Sequence, residues 1–212
     1  MESLNTRNKL FLISGKRGSG KSHLLRYIIS QEKHKYKTIF LFCPTEKVNS
    51  FYKGLINPKN IFDEYDEEWI EKFMKQMTEI NRGKSDANAS HVLLILDDCG
   101  SDTNFSKSKT FKQIATRGRH LKISVIMTAQ YLYQFPPVAR SNCDYIAVGQ
   151  MNRQALDILA QEFQHGNIAK KEFFKMYYNS TNDYNFLLIN NNTAKNNNDV
   201  NEIYGIISVP KG

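Results

Sequence analysis

The sequence predicts an α/β fold, a three-layer sandwich with a mainly parallel central sheet. Short apolar runs alternate with longer amphipathic segments along most of the chain. The apolar runs are continuous and rich in β-branched and aromatic residues, which is typical of strands buried on both faces of a parallel sheet. The predicted strands of this kind are residues 10–14, 38–43, 92–96, 124–128 and 145–149.

Helices are predicted where apolar residues recur at helical spacing between these strands. In residues 21–33, this spacing places Leu24, Leu25, Ile28 and Ile29 on one face. The other predicted helices are residues 67–80, 108–119 and 153–163. Strands that alternate with helices in this way favour right-handed crossovers and a helix layer on each face of the sheet.

The end of the chain predicts a different local structure. Residues 184–189 and 202–208 have the composition of two further strands, and the asparagine-rich stretch 190–199 lies between them. We interpret this stretch as a loop that joins the two strands at a late sheet edge. Contact of this loop with DNA is the alternative interpretation.

The length of 212 residues fits one domain better than two. We therefore expect a single domain over residues 1–212, with a core of about 9–150 and a C-terminal extension of about 151–212. The formal net charge of +8 favours a polyanionic partner. A solvated basic surface explains the same charge, so composition leaves both open.

Composition also argues against several classes of protein. We expect no membrane span, because no apolar stretch approaches the required ~20 residues. The N-terminal residues carry no apolar secretion signal. The three cysteines are scattered, which is typical of a reducing compartment, and the histidines show no zinc-ligand spacing.

The stretch "GKRGSGKS" follows the first predicted strand and precedes the first predicted helix. Gly15, Gly20, Lys21 and Ser22 match the G-x-x-x-x-G-K-[ST] pattern, in which backbone N–H groups surround phosphate. Lys21 is expected to reach the β- and γ-phosphates of ATP, and Ser22 to bind Mg²⁺. The predicted nucleotide-binding residues are Gly15, Lys16, Arg17, Gly18, Ser19, Gly20, Lys21, Ser22 and His23.

Two acidic residues follow the third predicted strand, in "LLILDDCG". The carboxyl end of a parallel strand is where α/β proteins bind their ligands, so Asp97 is the expected partner of Mg²⁺. Asp98 is the candidate that orients or deprotonates an attacking water, with a loop or helix-capping acid as the alternative. Gln130 ends the next strand and is predicted to sense the γ-phosphate; a strand-end amide that fixes a loop is the alternative.

The chain resembles the FtsK/HerA superfamily of DNA-pumping ATPases in three segments and in their order. These segments are "GKRGSGKS", "LLILDDCG" and "TRGRHLKISVIMTAQ". The following "FPPVARSNCDYIAV" is similar to the genome-packaging ATPases of poxviruses, giant viruses and virophages. The resemblance covers residues 9–150 and implies a P-loop NTPase fold of the ASCE/RecA-like kind. The Asp97–Asp98 pair departs from the Asp-Glu pair common in cellular members, which leaves the catalytic base open.

The resemblance implies an oligomeric ring, a pentamer or hexamer, with ATP bound between neighbouring subunits. An arginine from one subunit completes the site of the next. Arg119 is favoured for this role by the resemblance, Arg140 is the next candidate, and Arg117 is a third. A surface arginine that binds a carboxylate or phosphate is the alternative for each.

The implied partners are double-stranded DNA, contacted without sequence preference, and capsid or portal-vertex proteins of a virus. The implied location is the viral factory in the host cytoplasm, or the virion. Candidate DNA contacts are Lys107, Lys109, Lys112, Lys170 and Lys171. Residues 105–109 are a candidate pore loop, and an ordinary helix start is the alternative. For Tyr131, Tyr133 and Phe135, packing at a subunit interface or against the sensor is favoured over stacking on bases.

Three other functions remain open on the sequence alone. A small-molecule kinase uses the same phosphate-binding loop, but no arginine-rich lid is evident. A non-catalytic nucleic-acid-binding protein is disfavoured because Lys21, Ser22 and Asp97 are all present. A helicase or DNA-repair translocase of the same superfamily uses the same motifs, so the sequence does not separate it from a packaging motor.

Overall fold

The structure, a computed structural model, describes residues 4–46, 50–99, 105, 107–194 and 199–209. It confirms the predicted α/β fold, with one eight-stranded sheet in the order β3-β2-β4-β5-β1-β6-β7-β8. The strands are β1 (Leu10–Ser14), β2 (Thr38–Phe42), β3 (Ile61–Phe62), β4 (Val92–Leu96), β5 (Ile123–Ala129), β6 (Tyr145–Val148), β7 (Phe186–Asn190) and β8 (Tyr204–Ile207).

Eight α-helices of the described residues connect and cover these strands. They are α1 (Lys21–Glu32), α2 (Glu67–Asn81), α3 (Lys109–Arg117), α4 (Pro137–Asn142), α5 (Arg153–Phe163), α6 (Lys170–Ser180), α7 (Asn191–Ala194) and α8 (Val200–Ile203). The four helices predicted by periodicity are present within two residues of their expected ends. Strand β3 and helices α4, α6, α7 and α8 were not predicted. Among these helices, none combines the length and apolarity needed to cross a membrane.

The parallel register of the sheet brings the ends of its central strands together. Strands β3, β2, β4, β5, β1 and β6 pair in parallel, so they all end at one edge, here called the carboxyl edge. The opposite edge, where these strands begin, is called the amino edge. Residues that follow β1, β4 and β5 therefore meet at the carboxyl edge, as the sequence predicts for a nucleotide site.

Two apolar layers hold the helices on the sheet. Every residue of β1 and β4 is buried, because the sheet is covered on both faces. One layer includes Phe11 and Ile13 of β1 packed with the apolar face of α1. The other includes Leu10 and Leu12 packed with α2, α3, α5 and α6. Side chains alternate along the strand between the two layers, which gives the three-layer sandwich.

The C-terminal hairpin continues the same sheet with antiparallel strands. β7 pairs with β6 and β8 pairs with β7, which confirms the two predicted late strands with shifted bounds. The asparagine-rich stretch is not wholly a loop as expected: α7 occupies residues 191–194, and residues 195–198 lie outside the described residues. Helix α8 follows directly after the stretch. Phe186 is fully buried against Gly149, where a Cβ would lie 2.8 Å from its ring. The start of the hairpin is thereby packed against the residue that follows β6 at the carboxyl edge.

Candidate functional site

The loop that joins β1 to α1, residues 15–20, is called the phosphate loop. Gly18 and Gly20 have φ angles of 76° and 91°, in the left-handed region that glycine adopts without strain. The Lys16 N–H donates to the Gln150 carbonyl over 2.7 Å, which ties the loop to the end of β6. A Cβ at Gly15 would lie 2.6 Å from the Ser19 hydroxyl, so the loop closes too tightly for alanine there.

Lys21 lies at the start of α1 and turns its ammonium back onto the phosphate loop. Its Nζ donates to the carbonyls of Gly15, over 2.8 Å, and Lys16, over 3.3 Å. Burial lowers the pKa of Lys21, while the charges of Asp98 and Asp97 oppose this shift. The ammonium is therefore held at the loop, partly desolvated, where phosphate oxygens can replace the carbonyls.

The remaining predicted nucleotide-binding residues fall into exposed and buried groups. Lys16, Arg17, Gly18 and His23 are exposed. Ser19 is 6% exposed, and its hydroxyl has no hydrogen-bond partner among the described residues. An orphaned buried hydroxyl is a polar group that a bound phosphate can satisfy.

A cavity of about 640 Å³ opens beside the phosphate loop, a volume typical of small-molecule sites. Its lining combines the loop, the start of α1, the segment after β2, and the end of β4. The lining residues are Gly18, Gly20, Lys21, Ser22, His23, Cys43, Thr45, Glu46, Phe51, Tyr52, Asp97, Tyr184 and Val209. The structure therefore brings Lys21, Ser22 and Asp97 into one cavity, as the sequence predicts.

Asp97 is a buried carboxylate, 5% exposed, that directly follows β4. Its Oδ2 accepts a hydrogen bond of 2.7 Å from the Tyr52 hydroxyl, and a longer one of 3.6 Å from the Cys43 thiol. Its Oδ1 accepts a hydrogen bond of 2.5 Å from the Thr128 hydroxyl. Three donors, two from the segment after β2 and one from β5, therefore fix the position of this one carboxylate.

Tyr52 forms hydrogen bonds with both side chains that are expected to hold the metal, Asp97 and Ser22. Burial raises the pKa of its phenol far above the ordinary range, Asp97 adds to the rise, and a hydrogen bond with Ser22 opposes it. The phenol therefore stays protonated and donates to Asp97. The Glu46 carboxylate accepts the backbone N–H groups of Phe51 and Tyr52, both over 2.8 Å, and fixes the segment that carries Tyr52.

The donor set at this end of the cavity suits Mg²⁺. A serine hydroxyl and a carboxylate are hard oxygen ligands, and Mg²⁺ typically combines one or two such groups with substrate phosphates and water. Ser22 and Asp97 both line the cavity beside Lys21. The residues present therefore fit a Mg²⁺ ion bound together with phosphate.

Asp98 lies next to this centre in a strained conformation. Its φ of 55° is left-handed, and its N–H donates to the Thr128 hydroxyl over 3.0 Å. The Gln130 side-chain amide donates to Asp98 Oδ2 over 3.4 Å, so the structure brings the predicted base and sensor together. Burial raises the pKa of Asp98, a hydrogen bond from Gln130 opposes the rise, and Asp97 adds to it.

The candidate arginines lie in different places. Arg119 is exposed at the amino edge, where it lines a small depression with Lys9 and Ile123 at the starts of β1 and β5. Arg140 is held within the chain, since its Nε donates to Glu162 over 2.6 Å and its Nη1 to the Phe135 carbonyl over 2.7 Å. Within one chain, neither arginine is brought to the phosphate loop. Arg117, the last residue of α3, is also exposed.

The candidate DNA contacts and aromatic residues also divide by environment. Lys107, Lys109, Lys112 and Lys171 are exposed, whereas Lys170 pairs with Asp157 over 2.7 Å. Residue 106 of the candidate pore loop lies outside the described residues.

The three aromatic residues after β5 do not form one group. Tyr131 and Tyr133 are exposed and stack on each other with ring centroids 5.3 Å apart. Phe135 is fully buried, so its ring packs inside the subunit.

Sequence reasoning missed several residues of this site. Thr128 is the one polar residue in the last five positions of β5, and this contrast was available as a signal. Tyr52 and Glu46 lie in a segment without helical or strand periodicity, so no pattern pointed to them. Only the fold brings the Tyr52 hydroxyl to Asp97 and the Glu46 carboxylate to the backbone that carries Tyr52.

Sequence comparisons find relatives of this chain among viral proteins. The sequence model of the family described as Poxvirus A32 protein matches residues 1–202. The uncharacterized protein 075L of Invertebrate iridescent virus 6 is 33% identical over 195 residues, covering 91% of this chain and 74% of that protein. The DNA packaging protein OPG160 of Vaccinia virus is 32% identical over 136 residues, or 62% of this chain and 49% of that protein. The chain thus aligns with about half the length of the poxvirus protein.

Solved structures show the same fold at low sequence identity. The genome packaging NTPase B204 of Sulfolobus turreted icosahedral virus 2, in complex with AMPPCP, has a TM-score of 0.67 and 15% identity, covering 98% of this chain and 100% of that chain. EssC ATPases 2 and 3 of Geobacillus thermodenitrificans have a TM-score of 0.56 and 16% identity, covering 86% of this chain and 38% of that chain. The family model and the iridescent-virus relative confirm the resemblance to the viral branch that the motifs indicate, and the solved structures confirm the fold.

Replacing Tyr52 with phenylalanine tests its hold on Asp97. We expect Tyr52→Phe to raise the Mg²⁺ concentration that half-saturates nucleotide binding by about 10- to 100-fold, the usual effect of losing a hydrogen bond to a metal ligand. Tyr36→Phe is the matched control, because Tyr36 is also buried but its hydroxyl contacts Thr6, and neither residue lines the cavity. An equal Mg²⁺ requirement in both variants would contradict the assignment.

Replacing Asp98 with asparagine is expected to stabilise the protein in metal-free buffer at neutral pH. The pKa of Asp98 in the folded protein is raised above 3.8. The protonated carboxyl therefore stabilises the fold fully below pH 3.8, and this stabilisation is lost as pH rises through the folded pKa. At neutral pH the folded protein bears the cost of a partly buried Asp98 carboxylate. Asparagine removes this charge and tolerates the left-handed backbone. Thermal unfolding should show a higher midpoint for Asp98→Asn at pH 7, and the gap should close below about pH 4.

Asp97→Asn provides the opposite control for this measurement. Its amide would present a donor to the Tyr52 and Thr128 hydroxyls, so the unfolding midpoint should fall. A lower midpoint for Asp98→Asn at pH 7 would show that the strained, half-buried carboxylate stabilises the fold.

Proposed function

Because the chain belongs to the poxvirus A32 protein family, we propose that it is an ATP-hydrolysing DNA translocase that packages double-stranded viral DNA into a capsid. The observation that carries this proposal is the convergence at the carboxyl edge. There the phosphate loop and Asp97 line one cavity, and the hydrogen-bonded Asp98–Gln130 pair lies directly beside Asp97. Such a set suits hydrolysis of a bound nucleoside triphosphate.

The phosphate loop and Lys21 bind the triphosphate in this proposal. Backbone N–H groups of the loop and the start of α1 face the phosphates, and the helix N-terminus adds positive potential. Lys21 exchanges its two carbonyl partners for β- and γ-phosphate oxygens. Ser22 and Asp97 hold Mg²⁺, which supplies neutralisation of phosphate charge, and Tyr52 and Thr128 keep Asp97 in position.

Asp98 and Gln130 act on the water that attacks the γ-phosphate. Burial raises the pKa of Asp98, which makes its carboxylate a better proton acceptor than an exposed aspartate. Gln130 donates to Asp98 through its side-chain amide, and its backbone N–H is fixed by Gln134 over 2.9 Å. These contacts support a role for the amide in detecting the γ-phosphate and in orienting Asp98.

Arg119 completes the site of a neighbouring subunit in a ring of five or six copies. Its place at the amino edge rules out a role at the phosphate loop of its own chain. Arg119 is exposed, and it makes no ion pair with another described residue, so its guanidinium is available to a neighbour. Arg140 is the weaker candidate because Glu162 and the Phe135 carbonyl already hold it.

Double-stranded DNA is the proposed partner of the ring, contacted through phosphates. The net charge of +8 and the exposed Lys107, Lys109, Lys112 and Lys171 support a sequence-independent polyanion contact. OPG160 is named a DNA packaging protein, which supports capsid or portal-vertex proteins as further partners. We place the protein in the viral factory of the host cytoplasm or in the virion.

A DNA-processing translocase of the same superfamily is the alternative function, and a small-molecule kinase is less favoured. EssC, which shares the fold, is not named as a packaging protein. The nearby Asp98 and Gln130 favour water as the phosphate acceptor over a small molecule.

Phosphate release from ATP, with and without duplex DNA, tests the proposed function. We expect DNA-stimulated turnover by the wild-type protein and a loss of at least ~100-fold in Lys21→Ala, because a preorganised positive charge is removed. Equal phosphate release by the two proteins would end the ATPase proposal. Turnover that ignores DNA but requires a small-molecule acceptor would favour a kinase.

Mixing two inactive variants tests the role of Arg119 in trans. Arg119→Ala alone should lose about 10³- to 10⁵-fold in turnover. An equal mixture with Lys21→Ala should recover roughly a quarter of wild-type turnover, since random head-to-tail pairing joins an intact cavity to an intact arginine at that frequency.

Arg117→Ala is the matched control for the mixing experiment. It removes an exposed arginine two positions away and should keep full activity. An Arg119→Ala protein that assembles and retains DNA-stimulated turnover would exclude Arg119 as the trans arginine.

A further inference from the structure

Tyr184 is an exposed aromatic residue at the edge of the candidate nucleotide site. Its side chain is 65% exposed, yet it lies against the phosphate loop, where a Cβ at Gly20 would be 3.4 Å from its ring. It lines the cavity of about 640 Å³ and also a neighbouring one of about 370 Å³. Its ring is thus a shared wall between two cavities that flank the phosphate loop.

The backbone at this position is strained. Asp183 and Tyr184 have φ angles of 53° and 61°, both in the left-handed region. A tyrosine in this region is an outlier, because its Cβ crowds the backbone, and such strain collects at functional sites. The turn is closed by the Asn185 N–H, which donates to the Asn182 carbonyl over 3.0 Å. The fold therefore maintains an unfavourable conformation that presents this ring beside the loop.

Sheet order fixes where the ring lies relative to the expected phosphates. Asp97 follows β4, which is two strand positions from β1 on one side, and Tyr184 precedes β7, two positions from β1 on the other. Each displacement is about 10 Å along the sheet. The γ-phosphate end of a nucleotide belongs beside Asp97, so the nucleoside extends toward β7 and β8. Val209, after β8, lines this side of the cavity with Tyr184.

We infer that Tyr184 is a stacking platform for the purine base of the bound nucleoside triphosphate. This inference rests on the proposed nucleotide binding and adds a base subsite to it. The exposed flat ring supplies the aromatic face, and the apolar Val209 adds to the wall. The C-terminal hairpin thereby takes part in nucleotide binding.

Calorimetric titration of the full chain with ATP, and separately with inorganic tripolyphosphate, tests the platform in the presence of Mg²⁺. Tyr184→Gly removes the ring and suits the left-handed backbone, so the fold is kept; Tyr184→Phe retains the ring. Tyr178→Ala is the matched control, an exposed tyrosine of α6 that lines neither cavity. We expect ATP affinity to fall about 5- to 100-fold in Tyr184→Gly, the usual effect of losing a stacked aromatic.

Tripolyphosphate affinity should stay within about twofold in all three variants, and ATP affinity should stay within about twofold in Tyr184→Phe and Tyr178→Ala. This pattern supports the platform, since stacking needs a base and an aromatic ring. Unchanged ATP affinity in Tyr184→Gly overturns it, and so does an equal loss for ATP and tripolyphosphate, which shows an effect on loop shape.

The same titrations separate this inference from the proposed function. A wild-type protein that binds ATP in the expected pattern but shows no DNA-stimulated hydrolysis supports the platform and ends the translocase proposal. A wild-type protein that binds tripolyphosphate and ATP equally well overturns the platform. DNA-stimulated turnover in the same preparation would still support the translocase proposal. A wild-type protein that binds neither overturns both.

Discussion

The buried carboxylate of Asp97 is the constraint around which the candidate site is built. A carboxylate with so little exposure is costly unless donors surround it. Tyr52 and Thr128 supply those donors, one from the segment after β2 and one from β5. The three elements must therefore lie in their observed register for the charge to be tolerated. The same arrangement keeps Asp97 in the cavity that Ser22 also lines, so the burial of this charge and the proposed binding of Mg²⁺ use one geometry.

The sequence predicted the parts of this structure that follow from periodicity and chain direction. Continuous apolar runs predicted the buried parallel strands, and the strand–loop–helix pattern predicted the position of Lys21. The placement of Asp98 beside Gln130 followed from two strands that end at the same edge. The two-residue strand β3 was missed because so short a segment carries no pattern.

Other parts of the site depend on contacts that no local pattern encodes. Tyr52 reaches Asp97 across 45 positions of the chain, and nothing near Tyr52 in the sequence signals that contact. Tyr184 was assigned to a strand, whereas the strand begins at Phe186 and Tyr184 lies in a left-handed turn. A tyrosine has no propensity for that turn. Only packing of the hairpin against the phosphate loop explains its conformation.

Lys21 donates to two carbonyls of the phosphate loop, and this internal bonding bears on the timing of a nucleotide cycle. The ammonium has partners whether or not a phosphate is present, so an empty site does not leave a desolvated cation without compensation. Arrival of a nucleotide is an exchange of partners, and departure of the product reverses it. The loop carbonyls thus compensate the charge of Lys21, and a ligand that binds to this ammonium must compete with them.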